Sequence, residues 1–281
     1  SLRRCNNSIK ITGTSRSAET RAKAIDLKIC EVCENVIDAV NGADLVILCV
    51  PVGAMTSVAK EIAPFLKPGV TLTDVGSVKV DVIKNILPIL PKHVDFIPAH
   101  PLAGTENSGP ESGFSTLFDN RWCLLTPLKG TSEESIDRLR SLWETLGAKV
   151  DTMTPEHHDL VLAVTSHVPH LIAYTMVGVA DDLASVTKSE VINYSAAGFR
   201  DFTRLAASDP TMWRDVFLNN KEASLEILGR FTEELFSLQS AVRRGDGDFL
   251  FDYFTRTRLV RRSIVDAGQD TNEPNFGRKL N

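Results

Sequence analysis

The first half of the chain alternates short apolar runs with amphipathic stretches. Leu45-Val46-Ile47-Leu48-Cys49-Val50 is the clearest run. It is apolar at every position, so it predicts a strand buried on both faces. Shorter runs at 8–12, 70–73, 95–98, 122–125 and 149–152 predict further strands. Helical spacing fills the gaps, at 18–27, 32–40, from about Gly53, at 81–87 and at 132–146. In the last of these, Ile136, Leu139, Trp143 and Leu146 fall on one helical face. Thr131 with Glu134 three residues on reads as a capping box, and Gly147 as the C-terminal cap. Strands alternating with helices predict βαβ units and a parallel sheet.

From Thr154 the pattern changes, and no strand-like run follows. Thr154-Pro155 reads as an N-cap with proline at the first helical position. A long helix is expected towards Leu183, kinked at Pro169, which lacks an N–H. Further helices are expected at 188–194, at 211–244 with breaks, and at 247–267, before a polar tail from Gln269. The expected organisation is therefore a Rossmann-like α/β domain over 1–153 and an all-α domain over 154–281. The G-x-G-x-x-G turn of a dinucleotide-binding domain is not found. The expectation is that its first strand and glycine turn, about 25–30 residues, are missing from the sequence as given.

Composition narrows the functional classes. The 281 residues are 43% hydrophobic and 24% charged, with a formal net charge of −5. That balance argues against nucleic acid as the main partner, because phosphate binding needs a basic face. The arginines at 256, 258, 261 and 262 read as a solvated helix face. No unbroken apolar run approaches eighteen residues, so no membrane span is expected, and no signal peptide is visible. The five cysteines include one C-x-x-C, Cys30 to Cys33, without the second pair a zinc site needs. A reducing, cytoplasmic setting is expected.

Candidate chemistry gathers at two strand ends. Asp74-Val75-Gly76-Ser77-Val78-Lys79 follows one predicted strand, and His100-Pro101-Leu102-Ala103-Gly104-Thr105-Glu106 follows another. Ligands of open α/β sheets bind beyond the carboxyl ends of strands, so the Ser77 hydroxyl and the His100 imidazole are expected to face one crevice. Pro101 disfavours a helical backbone at His100. The end of the 8–12 strand, read as the second strand of a dinucleotide-binding domain, carries Thr14-Ser15-Arg16-Ser17 with no acid before Glu19. Hydroxyls and a guanidinium suit a 2′-phosphate, which favours NADP over NAD. Val50 and Pro51, at the end of another strand, are also expected beside the cofactor.

The helical half adds His158 and Asp159, then Thr165-Ser166-His167-Val168-Pro169-His170, in which His167 and His170 share a face. H-x-x-H without a third ligand reads as substrate donors or satisfied core histidines, and no metal is expected. Arg200 and Arg214 read as structural partners of Asp201, Asp209 and Asp215.

Taken together, these motifs closely resemble the prephenate/arogenate dehydrogenase family. The resemblance also covers Gly198-Phe199-Arg200-Asp201-Phe202-Thr203-Arg204 and Ser208-Asp209-Pro210-Thr211-Met212-Trp213-Arg214-Asp215, in family order across nearly all of the chain. It implies an NAD(P)-dependent oxidative decarboxylation in tyrosine biosynthesis: prephenate to 4-hydroxyphenylpyruvate, or arogenate to tyrosine, with loss of CO2. His100 and Ser77 would be catalytic, with Ser77 beside the nicotinamide. Arg204 would hold the ring carboxylate, and His170 and Thr105 the side chain. His158 and Asp159 would close over the site from a partner subunit, in a homodimer formed through the helical domain. Glu106 is a candidate partner for the ammonium of arogenate. The alternatives are a β-hydroxyacid-type dehydrogenase, which would use a lysine on the helical domain, and a non-catalytic ligand-binding relative.

Overall fold

The computed structural model describes residues 1–5, 8–104, 109–182 and 197–267. Its strands form three small sheets. β1 (Thr12–Gly13) pairs in parallel with β2 (Glu31–Val32). β3 (Leu45–Leu48), β4 (Thr71–Asp74) and β5 (Asp95–Phe96) pair in parallel in that order. β6 (Ala99–Pro101) pairs antiparallel with β7 (Trp122–Leu125), which pairs in parallel with β8 (Lys149–Thr152). Among the described residues, β3 has a paired neighbour on one side only.

The helices are α1 (Leu2–Cys5), α2 (Ala18–Asp26), α3 (Val36–Val40), α4 (Val52–Ile62), α5 (Val80–Ile86) and α6 (Glu133–Thr145). α7 (Pro155–Leu162), α8 (Val168–Asp182), α9 (Ala197–Thr203), α10 (Pro210–Asn219), α11 (Lys221–Arg244) and α12 (Gly247–Asp266) follow. Packing gathers into two units, 1–225 and 226–281. One core joins Leu48, Leu72 and Phe96 of the parallel strands to Met55, Ile62 and Ile86 of the helices. A second joins Ala99, Cys123 and Leu125 to Ile136, Leu139 and Trp143 of α6.

Three expectations are corrected. The helix expected at 32–40 is split, because Glu31–Val32 is a strand and Asn35 caps a helix beginning at Val36, accepting from Asp38 N at 2.9 Å. α6 is capped one residue later than expected: Ser132, not Thr131, accepts from Ser135 N. Gly147 does close it, at φ +95. The sheet is not wholly parallel, since His100 sits in β6, opposite Leu124 of the antiparallel β7. The 155–182 helix is long and apolar enough to pass a length-and-composition test for a membrane span, a test that the core helix of a globular protein also passes. Its spaced polar residues interrupt every apolar run, so only the average over a window shows it.

That long helix is interrupted earlier than Pro169. Residues Ala163–His167 form a π turn, in which Val168 N bonds Ala163 O five residues back. Proline at 169 has no N–H to continue the regular ladder, and the wide turn accommodates this by shifting the bonding pattern. The helix expected at 188–194 lies outside the described residues. The 211–244 stretch breaks at Asn220.

Candidate active site

The site is built around a buried cation. Lys79 has no exposed surface. Its Nζ pairs with Asp74 Oδ2 and donates to Ala99 O at 2.6 Å. A buried ammonium is tolerated only with such partners. Asp74 ends β4, and its Oδ2 also accepts from Gly76 N at 2.9 Å. A Cβ at Gly76 would lie 3.0 Å from both that oxygen and Met55 Cε, so any larger residue would crowd this turn. The lysine thus fastens the Ser77 turn to the residue before His100.

Asp159 of α7 fastens the same turn from the other side. Its Oδ1 accepts from Lys79 N at 2.8 Å and its Oδ2 from Val80 N at 2.9 Å, satisfying orphan N–H groups at the start of α5. Oδ1 also lies 2.8 Å from His158 Nδ1, and His158 Nε2 lies 2.9 Å from His100 Nδ1. Carboxylate and two imidazoles form one hydrogen-bonded line.

The third wall comes from the helices. Val78 is fully buried against Trp213 and Val216 of α10. Trp213 stacks on His170 with ring centroids 3.7 Å apart, and meets His167 edge-on at 6.1 Å. Asn220 bonds Asp159 O at 2.9 Å and lies 3.0 Å from His167 Nδ1. His170 Nδ1 donates to Ser166 O at 2.8 Å. Tyr174 of α8 donates to Ser208 O at 2.7 Å, tethering the short turn Arg204–Ala207 to α8. Ser77 and His100 therefore stand on segments joined through Lys79, and His170 and Arg204 on segments joined through α8. The contact between Val78 and Trp213 links the two pairs.

Burial dominates the electrostatics. His100 is held well below the ordinary histidine value by desolvation, reinforced by His158, Lys79 and His167. Burial also lowers His158 against the pull of Asp159, takes His167 down to about 4, and lowers His170, helped by the nearby charge of Arg204. It lowers Lys79 too, against Asp74. The four imidazoles are therefore neutral near pH 7. Because their folded values lie below their unfolded ones, the unfolded chain binds more protons in acid. Stability is expected to be full above about pH 6.5, the unperturbed histidine value, and to fall as the pH drops towards about 4. Denaturant midpoints across that range measure the loss.

The expected residues fall as follows. Ser77 and His100 are half-buried at adjoining segments, and Arg204 is exposed beside His170. Thr105 and Glu106 lie outside the described residues. His158 and Asp159 are corrected: both are buried within this chain, not presented by a partner. Both nitrogens of His158 are taken, so it meets a substrate only through His100. Arg214 pairs with Asp215 at 2.7 Å, and Arg200 lies 3.7 Å from Asp201. Lys79, Asp159 as a cap, Trp213 and Asn220 were given no role from sequence. An apolar-flanked lysine five residues after an aspartate was the available signal.

The strand ends fit a dinucleotide in part. Thr14 and Ser15 are half-buried after β1, Ser17 caps α2, and Arg21 donates to Ser15 O at 2.6 Å, shaping a turn from which Arg16 projects exposed. Val50 and the exposed Pro51 follow β3, with Pro51 at the start of α4. Exposed donors at one strand end and open backbone at the next suit the adenosine and nicotinamide ends of such a molecule.

Comparison with known proteins agrees with this arrangement. The nucleotide-binding domain of prephenate dehydrogenase matches residues 1–152, and its dimerization domain matches residues 154–256. The chain is 42% identical over 256 residues to a cyclohexadienyl dehydrogenase of Zymomonas mobilis, covering 91% of this chain and 87% of that one. A prephenate dehydrogenase of A. aeolicus, solved with hydroxyphenyl propionate and NAD+, superposes with a TM-score of 0.85 at 36% identity, covering 94% of this chain and 92% of the other. The arogenate dehydrogenase of Synechocystis superposes with a TM-score of 0.77 at 26% identity, covering 93% of each.

Proposed function

The chain belongs to the prephenate dehydrogenase family, and from that premise we propose how its residues divide the work of oxidative decarboxylation. The substrate is a cyclohexadienol, prephenate or arogenate, and the products are 4-hydroxyphenylpyruvate or tyrosine with CO2. Hydride acceptance is the chemistry that a nicotinamide dinucleotide supplies when bound.

The observation that carries the reading is a neutral imidazole, His100, fixed beside the Ser77 turn in a largely desolvated setting. As hydride leaves ring C4, the C4 hydroxyl must lose its proton. A neutral imidazole accepts that proton, and its own depressed affinity for protons keeps it available as a base. Ser77 orients the hydroxyl. Arg204 anchors the ring carboxylate, with the ring of His170, held by Trp213, beside the substrate side chain. Aromatisation of the ring drives the loss of CO2. Thr105 and Glu106 complete the side-chain site, and Glu106 favours an ammonium.

The proposal extends to the cofactor and the assembly. The Ser15-Arg16-Ser17 turn favours NADP over NAD, because an exposed guanidinium at a strand end meets a 2′-phosphate. Val50, Pro51, Thr14 and Ser77 lie along the same molecule. The assembly is a homodimer through the helical domain, with a domain division near 153. α12 has no buried residue, and Phe251, Leu259 and Val260 are each at least 60% exposed. Apolar side chains in that density mark a surface that another chain covers. A cytoplasmic location belongs to the same reading, and five free thiols suit it.

Steady-state oxidation that crosses prephenate and arogenate with NAD and NADP tests the reading. Turnover with at least one pair is expected. Arg16→Ala is expected to raise KM for NADP by about 10- to 150-fold while leaving KM for NAD nearly unchanged, since a lost charge-assisted contact is worth about 1.5–3 kcal/mol. No turnover with any pair by the folded protein would favour the ligand-binding alternative.

A further inference from the structure

Resting on that reading, we infer that Asp159 and His158 act as positioning residues that fix the tautomer of His100, and so decide which of its nitrogens can take the substrate proton. The argument is one of donors and acceptors along the hydrogen-bonded line. Each oxygen of Asp159 accepts a backbone N–H, Lys79 at Oδ1 and Val80 at Oδ2. The carboxylate is thereby held as an acceptor, and His158 Nδ1 at 2.8 Å from Oδ1 must be the donor. A neutral ring has one N–H only, so His158 Nε2 is bare. That bare nitrogen faces His100 Nδ1 at 2.9 Å, so His100 Nδ1 carries the hydrogen. His100 is then bare at Nε2, and no described residue occupies that atom.

The line has one self-consistent arrangement. Reversing it would require Asp159 to donate, against two backbone N–H groups. It would also require His100 to present Nε2–H to a hydroxyl that must itself donate. When the C4 hydroxyl gives up its proton, the O–H bond breaks and an N–H bond forms at His100 Nε2. The Nδ1–H bond remains, and its hydrogen bond to His158 strengthens as the ring becomes cationic. A neutral imidazole in water favours hydrogen on Nε2, the wrong nitrogen for this task. The second ring in line, buried with no exposed surface, removes that choice.

Ring 15N chemical shifts of histidine-labelled full-length protein at neutral pH test this directly. The expected spectrum has His100 protonated at Nδ1 and bare at Nε2. His158→Phe is expected to convert His100 to the Nε2–H form and to lower kcat by about 100-fold, the scale of a displaced acid–base group, with little change in KM. His158→Gln offers an amide oxygen to His100 Nδ1, and is expected to keep the native tautomer and recover most of kcat. A wild-type His100 protonated at Nε2 would overturn the inference. So would a folded His158→Phe variant with undiminished kcat. If that variant does not fold, the wild-type spectrum decides alone. The spectrum requires no turnover, so an enzyme inactive on both substrates whose His100 still reads Nδ1–H would refute the substrate assignment and leave this inference standing.

Discussion

His100→Asn is expected to lower kcat by about 10²–10⁴-fold, the range removed with a general base, while leaving KM nearly unchanged. The KM expectation follows from position. His100 meets the hydroxyl that loses its proton, whereas carboxylate binding is assigned to Arg204 on the other wall of the site. The pH dependence carries the same signature. Burial and the neighbouring His158, Lys79 and His167 hold His100 well below its ordinary value, so the base remains unprotonated under mildly acidic conditions. The acid limb of kcat/KM is accordingly expected below pH 6.5, the unperturbed value, and it should be absent from the residual activity of the Asn variant. Rates followed as reduced cofactor across the pH range give both results. An acid limb near or above 6.5 in the wild-type enzyme, or a kcat unaffected by the substitution, would remove His100 from the role of base.

Lys79→Met is expected to be the most damaging single change to stability, at about 3–5 kcal/mol, the usual result of removing one partner from a buried ion pair. Methionine fills much the same volume, so the loss is electrostatic and not a cavity effect. Asp74 is fully buried, and one of its oxygens, Oδ1, already lacks a partner. Without the ammonium, Oδ2 keeps only the Gly76 N–H, and Ala99 O loses its donor. Chemical denaturation reads the change. The paired substitution Asp74→Asn with Lys79→Met should recover part of the loss, because it removes the uncompensated charge. A single variant within about 1 kcal/mol of wild type would mean that water reaches the pair.

Much of this molecule was legible from local pattern. The run from Leu45 to Val50 reads as a strand because every position is apolar, and the helix around Trp143 reads from the spacing of its apolar face. Gly147 takes the positive φ that a helix-ending glycine permits. Ser77, His100, His167 and His170 were singled out because their residue types are chemical and their flanks are regular. All of these depend on residues within a few positions of one another, which is the range over which periodicity and capping act.

What sequence pattern misplaced depends on partners far along the chain. His158 and Asp159 read as polar residues opening the long helix, and the family resemblance implied that they reach across a dimer. The fold instead turns them inward, where Asp159 finds the backbone of Lys79 and Val80 some eighty residues away and His158 finds His100. Lys79 read as the polar end of a motif: Asp74 stands only five residues before it, but Ala99 O, twenty residues on, and the burial of the pair come only with the fold. The sequence by itself determined the elements and the kinds of chemical group available. Only the tertiary structure decided which groups are dry, which are paired and in which direction each hydrogen bond runs, because desolvation and pairing are properties of the packed interior and not of any stretch of chain.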